Sequence, residues 1–74
     1  MFHQVEKYSE VILDSGSIVT PVASLQDDCG GTCHIITDDH CYVLCIETED
    51  GSCKPTTHIF REAFEIIKNL PAPR

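Results

Sequence analysis

The sequence predicts a small α+β domain: a three- to four-stranded, mostly antiparallel sheet with one C-terminal amphipathic helix packed on one face. Three observations predict it. The stretch from Thr56 to Leu70 carries a 3.6-residue apolar period, two β-rich runs flank the tripeptide Asp38-Asp39-His40, and turn-forming clusters punctuate the rest. The chain has 74 residues, which is room for one domain and one core, so 1–74 is read as a single domain.

The elements follow in chain order. Gln4–Leu13 is open to two readings. Val5, Tyr8 and Ile12 fit a helical stripe, while Val11-Ile12-Leu13 is a short apolar run ending in the turn cluster Asp14-Ser15-Gly16-Ser17. A hairpin is preferred, with strands near 9–13 and 17–25. Pro21 has no ladder donor, so that second strand is expected at an edge or with a bulge. Residues 26–32, with Asp27-Asp28 and Gly30-Gly31, read as a loop. Cys33–Thr37 and Cys41–Thr48 are rich in β-branched and aromatic residues, and few polar residues interrupt them. They form the expected central hairpin, covered on both faces. A turn at Glu49-Asp50-Gly51-Ser52 then leads to the helix.

In that helix Ile59, Ala63, Ile66 and Leu70 share one stripe, with Phe60, Phe64 and Ile67 beside it. Thr56 or Thr57 is the expected cap and Pro55 marks the entry. Pro71 blocks continuation, so 71–74 is expected to be a short extended tail. The apolar face of this helix is needed to close the core and is a poor candidate for a binding surface.

Charge narrows the function classes. Five Lys and Arg stand against twelve Asp and Glu, a formal net charge of −7. That balance cannot supply a phosphate-neutralising patch, so direct nucleic-acid binding is not expected, and an anionic membrane surface is disfavoured for the same reason. It suits solubility, or steering toward a basic partner. The N-terminus lacks the basic and apolar segments of a secretory signal, and no apolar run approaches the ~20 residues of a membrane span. A cytoplasmic location is expected.

The five cysteines, Cys29-x3-Cys33-x7-Cys41-x3-Cys45-x7-Cys53, are the main chemical question. In a reducing compartment they are buried thiols or metal ligands before they are disulfides. If Asp38-Asp39-His40 is a three-residue loop, Thr37 faces Cys41 and Cys33 falls opposite Cys45. Opposed Cβ atoms lie ~4.5–5.5 Å apart, close enough to share a metal. Cys41, ~13 Å along the strand from Cys45, cannot join them. Cys53 could return beside Cys45, and Cys29 could reach in from the glycine loop. Buried free thiols with no cofactor are thus the first expectation, a structural zinc on Cys29, Cys33, Cys45 and Cys53 the second, and a disulfide or redox pair the third. A two-residue turn would shift the register by one and break the zinc site.

Catalysis is not expected. Cys33 and His34 are strand neighbours on opposite faces, nothing links Cys29 to His58, and no Cys-x-x-Cys is present. The acidic residues gather in turns, but the calcium-loop pattern Asp-x-Asp-x-Asp-Gly is absent. The reading that results is a small, acidic, non-enzymatic protein-interaction or regulatory module acting on a basic or nucleic-acid-binding protein. Its candidate contact residues are Asp27, Asp28, Glu47, Glu49 and Asp50. A homodimer is a further expectation, and a zinc-stabilised cysteine-rich mini-domain is the alternative.

Overall fold

A computed structural model describes residues 1–38 and 41–71. The expected α+β architecture is overturned: the chain is mostly sheet. Among the described residues seven strands precede one short helix: β1 (Phe2–Val5), β2 (Val11–Ile12), β3 (Ile18–Val19), β4 (Ala23–Asp27), β5 (Thr32–Asp38), β6 (Cys41–Glu47), β7 (Cys53–Thr56) and α1 (Arg61–Lys68). Five strands form one antiparallel sheet in the order β1-β4-β5-β6-β7, and β2-β3 form a separate two-stranded ribbon.

Three local causes account for the difference. Pro21 breaks the expected 17–25 strand, and its two halves, β3 and β4, join different sheets. Phe2–Val5 adds an edge strand along β4, with Phe2 opposite Asp27 and Val5 opposite Ser24. Cys53–Thr56, read as a lead-in to the helix, is instead the other edge strand. Pro55 is tolerated there because an outermost strand can spare a ladder donor.

The helix is correspondingly shorter than the stretch from Thr56 to Leu70. It spans eight residues, and Phe60 at its N-cap makes no side-chain capping bond. Thr56 ends β7 and accepts a hydrogen bond from the His58 amide through Oγ1, at 3.2 Å, so it organises the connection rather than capping the helix. The apolar period was real, but it extended across residues that the backbone holds extended. Ile59 and Phe64 remain 56% and 55% exposed, whereas Ala63 is fully buried. The tail expected at 71–74 lies, beyond Pro71, outside the described residues.

The alternation of side chains divides the core into two. Ala23, Leu25, Cys33, Ile35 and Leu44 line one face of the large sheet, against Ala63, with Phe2, Phe60, Ile66 and Ile67 packed around them. Phe2 and Phe60 stack with ring centroids 4.4 Å apart, which ties the first strand to the helix entry. Ile36, Cys45 and Cys53 line the opposite face, where the ribbon covers them with Val11, Leu13 and Val19. Strand β5 lies in the middle of the order and is buried from Thr32 to Ile36. No helix among the described residues is long and apolar enough to cross a membrane.

The turns at one end of the large sheet share a construction. Between β4 and β5 the Asp27 amide donates to Gly31 O at 2.7 Å and the Gly30 amide donates to Asp27 O at 3.0 Å. Between β6 and β7 the Thr48 amide donates to Ser52 O at 2.7 Å and the Gly51 amide donates to Thr48 O at 3.0 Å. Gly30 and Gly51 adopt φ of 92° and 88°, the left-handed position that closes a three-residue hairpin loop and that side chains resist. The residues before each glycine, Asp28-Cys29 and Glu49-Asp50, are thereby exposed at the loop tips.

Candidate functional site

The register of β5 on β6 decides what the cysteines can do. Asp38 pairs with Cys41, so two residues connect the strands, and those two, Asp39 and His40, lie outside the described residues. The three-residue loop expected from the sequence is therefore corrected by one position. Cys33 stands opposite Ile46, and His34 stands opposite Cys45. Since a one-residue shift moves a side chain to the other face, Cys33 points to the helix side and Cys45 to the ribbon side.

The proposed thiolate set does not converge. Cys45 and Cys53 are joined as a disulfide across β6 and β7, with Cα atoms 5.4 Å apart. Cys33 is buried against the helix-side core, where burial pushes its thiol up to about 11. Cys29 is exposed in the β4–β5 turn. Among the described residues no group of three or more His, Cys, Asp or Glu is placed to hold a metal ion. A zinc at Cys29, Cys33, Cys45 and Cys53 would need ligands on both faces of the sheet, two of them from a broken disulfide.

The register shift brings another set together that sequence reasoning missed. On the ribbon side Ser24, His34 and Glu47 form a polar chain across three adjacent strands. Ser24 Oγ lies 2.9 Å from His34 Nδ1, and His34 Nε2 lies 3.2 Å from Glu47 Oε2. Ser24 also accepts from the Tyr8 amide at 3.4 Å, and the Tyr8 ring meets the imidazole edge-on at 4.7 Å. Hydrogen-bond chemistry assigns the tautomer. For a neutral imidazole facing an ionised carboxylate, which only accepts, Nε2 carries the proton toward Glu47 and the Ser24 hydroxyl donates to Nδ1.

Serine, histidine and an acid are also the residue types of a hydrolytic triad, but this arrangement differs from one. Ser24 and His34 are both 0% exposed, so the hydroxyl meets no solvent-borne substrate. The imidazole turns Nδ1, not Nε2, toward the serine. The chain is a satisfied core network, and no buried side-chain polar atom among the described residues lacks a partner. The sequence signal that could have found it was the even spacing of His34 and Ile36 opposite Cys45 and Val43, which needed the correct register first.

At the end of the sheet where Glu47 emerges, the two glycine turns lie side by side. Cys29 and Thr32 from one, with Glu47 and Glu49 from the other, line a shallow cleft of about 420 Å³. Of the five acidic residues singled out from the sequence, Glu47 and Glu49 line this cleft, while Asp27, Asp28 and Asp50 lie at the same end of the sheet outside its lining, and their surroundings differ. Asp27 accepts from the Met1 ammonium at 3.1 Å, which holds its carboxyl below the usual range. Asp50 accepts from the Thr48 hydroxyl, and from the Ser52 amide and hydroxyl at 3.0 and 2.7 Å, which lower its carboxyl to about 2. Glu47 faces His34. Asp28, 3.7 Å from the Met1 ammonium and 3.8 Å from His3 Nδ1, and Glu49 point outward. Among the described residues no Lys or Arg forms an ion pair at this end; Lys68 pairs instead with Glu65 on the helix, at 3.9 Å.

Comparison with protein-family models, with curated proteins and with solved structures finds no match to this chain.

Proposed function

We propose that this protein is a small acidic interaction module whose glycine-turn end receives a basic segment of a protein partner. One observation carries the reading: two turns some twenty residues apart in sequence bring Glu47 and Glu49 to one cleft, beside the loop that carries Asp28, with no Lys or Arg paired to the three among the described residues. The carboxylates at this end outnumber their one fixed cation, the Met1 ammonium, and a net negative potential around a concave surface speeds association with a cationic partner and rejects anionic ones. Asp27 and Asp50, held by bonds within their own turns, set the shape of that surface more than its affinity.

The disulfide bears on location. A cross-strand bond between two fully buried cysteines fits an oxidising environment better than the cytoplasm anticipated from the sequence. Within this proposal the protein acts outside a reducing compartment.

Titration with a lysine-rich peptide tests the reading. Neutralising Asp28 and Glu49 together (D28N/E49Q) is expected to weaken binding clearly more than neutralising Glu6 and Glu65 (E6Q/E65Q), an equal change of charge on exposed residues elsewhere. Equal losses from the two variants would reduce the effect to net charge and remove the support for a defined site.

A further inference from the structure

A second concave surface lies on the ribbon side, away from the glycine turns, between the β2–β3 connection and strands β5 and β6. Its floor is apolar, formed by Leu13, Val19, Ile36 and Val43, and its volume is about 420 Å³. That lies within the ~300–1,000 Å³ usual for pockets that take a discrete group. Two carboxylates, Asp14 and Asp38, are the only charged groups on its rim among the described residues. Both are exposed, and neither has a hydrogen-bond or ion-pair partner among the described residues. The neighbouring rim hydroxyls of Ser15 and Ser17 bond each other at 3.3 Å.

We propose that this groove is a docking site for a basic side chain, arginine before lysine, presented by a partner protein. The stem would lie on the apolar floor and the cationic head would meet Asp14 and Asp38. Charge complementarity selects this occupant. An apolar floor with a purely anionic rim matches a side chain that is aliphatic along its length and cationic at its tip. It repels an acidic residue, and it leaves a fully apolar one with two desolvated carboxylates. Arginine is favoured because its planar fork donates to a carboxylate through two parallel bonds. The assignment stands on this groove alone and does not depend on the glycine-turn end.

The test is a titration of isotope-labelled protein, followed by backbone amide shifts, with a short capped peptide holding one arginine among alanines. Saturable shifts are expected at Leu13, Ser17, Val19, Ile36 and Val43. The same peptide with citrulline in place of arginine, isosteric but uncharged, is expected to bind about tenfold more weakly. The variant D14N/D38N should lose a similar factor, while D28N/E49Q should keep the response, which separates this site from the one proposed above. Equal binding of the arginine and citrulline peptides would overturn the proposal, as would an undiminished response in D14N/D38N. Shifts confined to 27–32 and 47–52 would overturn it too. Agmatine is the small-molecule arm: if it shifts these amides and the peptide does not, the protein-partner assignment is wrong.

Discussion

His34 stands directly opposite Cys45 on the neighbouring strand, and both side chains turn toward the ribbon. From that single pairing come the separation of Cys33 from the other core cysteines, the Cys45–Cys53 bridge and the approach of His34 to Glu47. A register one residue different would exchange all of these.

The cysteines should therefore fall into three reactivity classes. Under native, non-reducing conditions an alkylating reagent is expected to modify Cys29 and Cys41, which are exposed, and to spare Cys33 until the protein is unfolded. Burial of Cys33 and its raised thiol pKa of about 11 both act against thiolate formation. Cys45 and Cys53 should react only after reduction. Mass spectrometry of alkylated peptides reads all three classes, and early labelling of Cys33 or Cys53 would refute the register.

Removing the bridge should cost stability without rearranging the sheet. Cys45 and Cys53 are separated by eight positions in sequence, and a loop that short restricts the unfolded chain by roughly 2–3 kcal/mol. The double variant C45A/C53A is expected to lower the denaturant midpoint accordingly. Backbone amide shifts far from β6 and β7 should stay in place. A larger loss, with collapse of the spectrum, would mean that the covalent link and not the packed core holds the fold.

The buried network predicts an asymmetry between its two ends. Ser24→Ala leaves His34 Nδ1 and the Tyr8 amide without their buried partner, at a cost of ~1–3 kcal/mol. Glu47→Gln keeps an oxygen that can accept from Nε2–H at a partly exposed position, so its cost should be much smaller. Chemical denaturation of the two variants makes the comparison, and imidazole nitrogen shifts should show the proton on Nε2 in the wild type. A proton found on Nδ1 would contradict the assigned donor order.

The sign of the pH dependence at Asp50 follows from its bonds. Its folded-state pKa is depressed to about 2 by the Thr48 and Ser52 donors. Its contribution to the turn is therefore present above the ordinary carboxylate range and is lost as pH falls through about 2. Carboxyl shifts followed by NMR should titrate Asp50 late in an acid series, near pH 2, and a midpoint in the ordinary carboxylate range would contradict these bonds. Asp50→Ala should raise amide exchange across 48–52, and protection equal to wild type would dismiss the Asx-type turn.

Much of this was legible in the residues, and the failures have physical causes. Val and Ile enrichment marked β5 and β6, and the Asp, Ser and Gly clusters marked the hairpin turns, because those preferences are local. The register was not legible, since it depends on a single residue in the connection after Asp38, and it changes the fate of every cysteine at once. β7 was hidden by Pro55, whose meaning depends on whether its strand lies at an edge. The helix was over-read because Ile59 and Phe60 continue an apolar period that the backbone abandons once β7 has formed. The acidic residues stood out in the sequence only as turn carboxylates, and it takes the structure to separate Asp27 and Asp50, each accepting hydrogen bonds, from Asp28 and Glu49, which face outward.

The central claim, that the glycine-turn end is an electropositive partner's landing surface, is tested most directly by mapping a lysine-rich peptide onto the amide spectrum at two ionic strengths. At low salt, where charges act over ~30 Å, perturbations should concentrate at 27–32 and 47–52. Near 1 M salt, where that range shrinks to ~3 Å, they should vanish. Perturbations spread evenly over the acidic surface, or persisting at high salt, would contradict it.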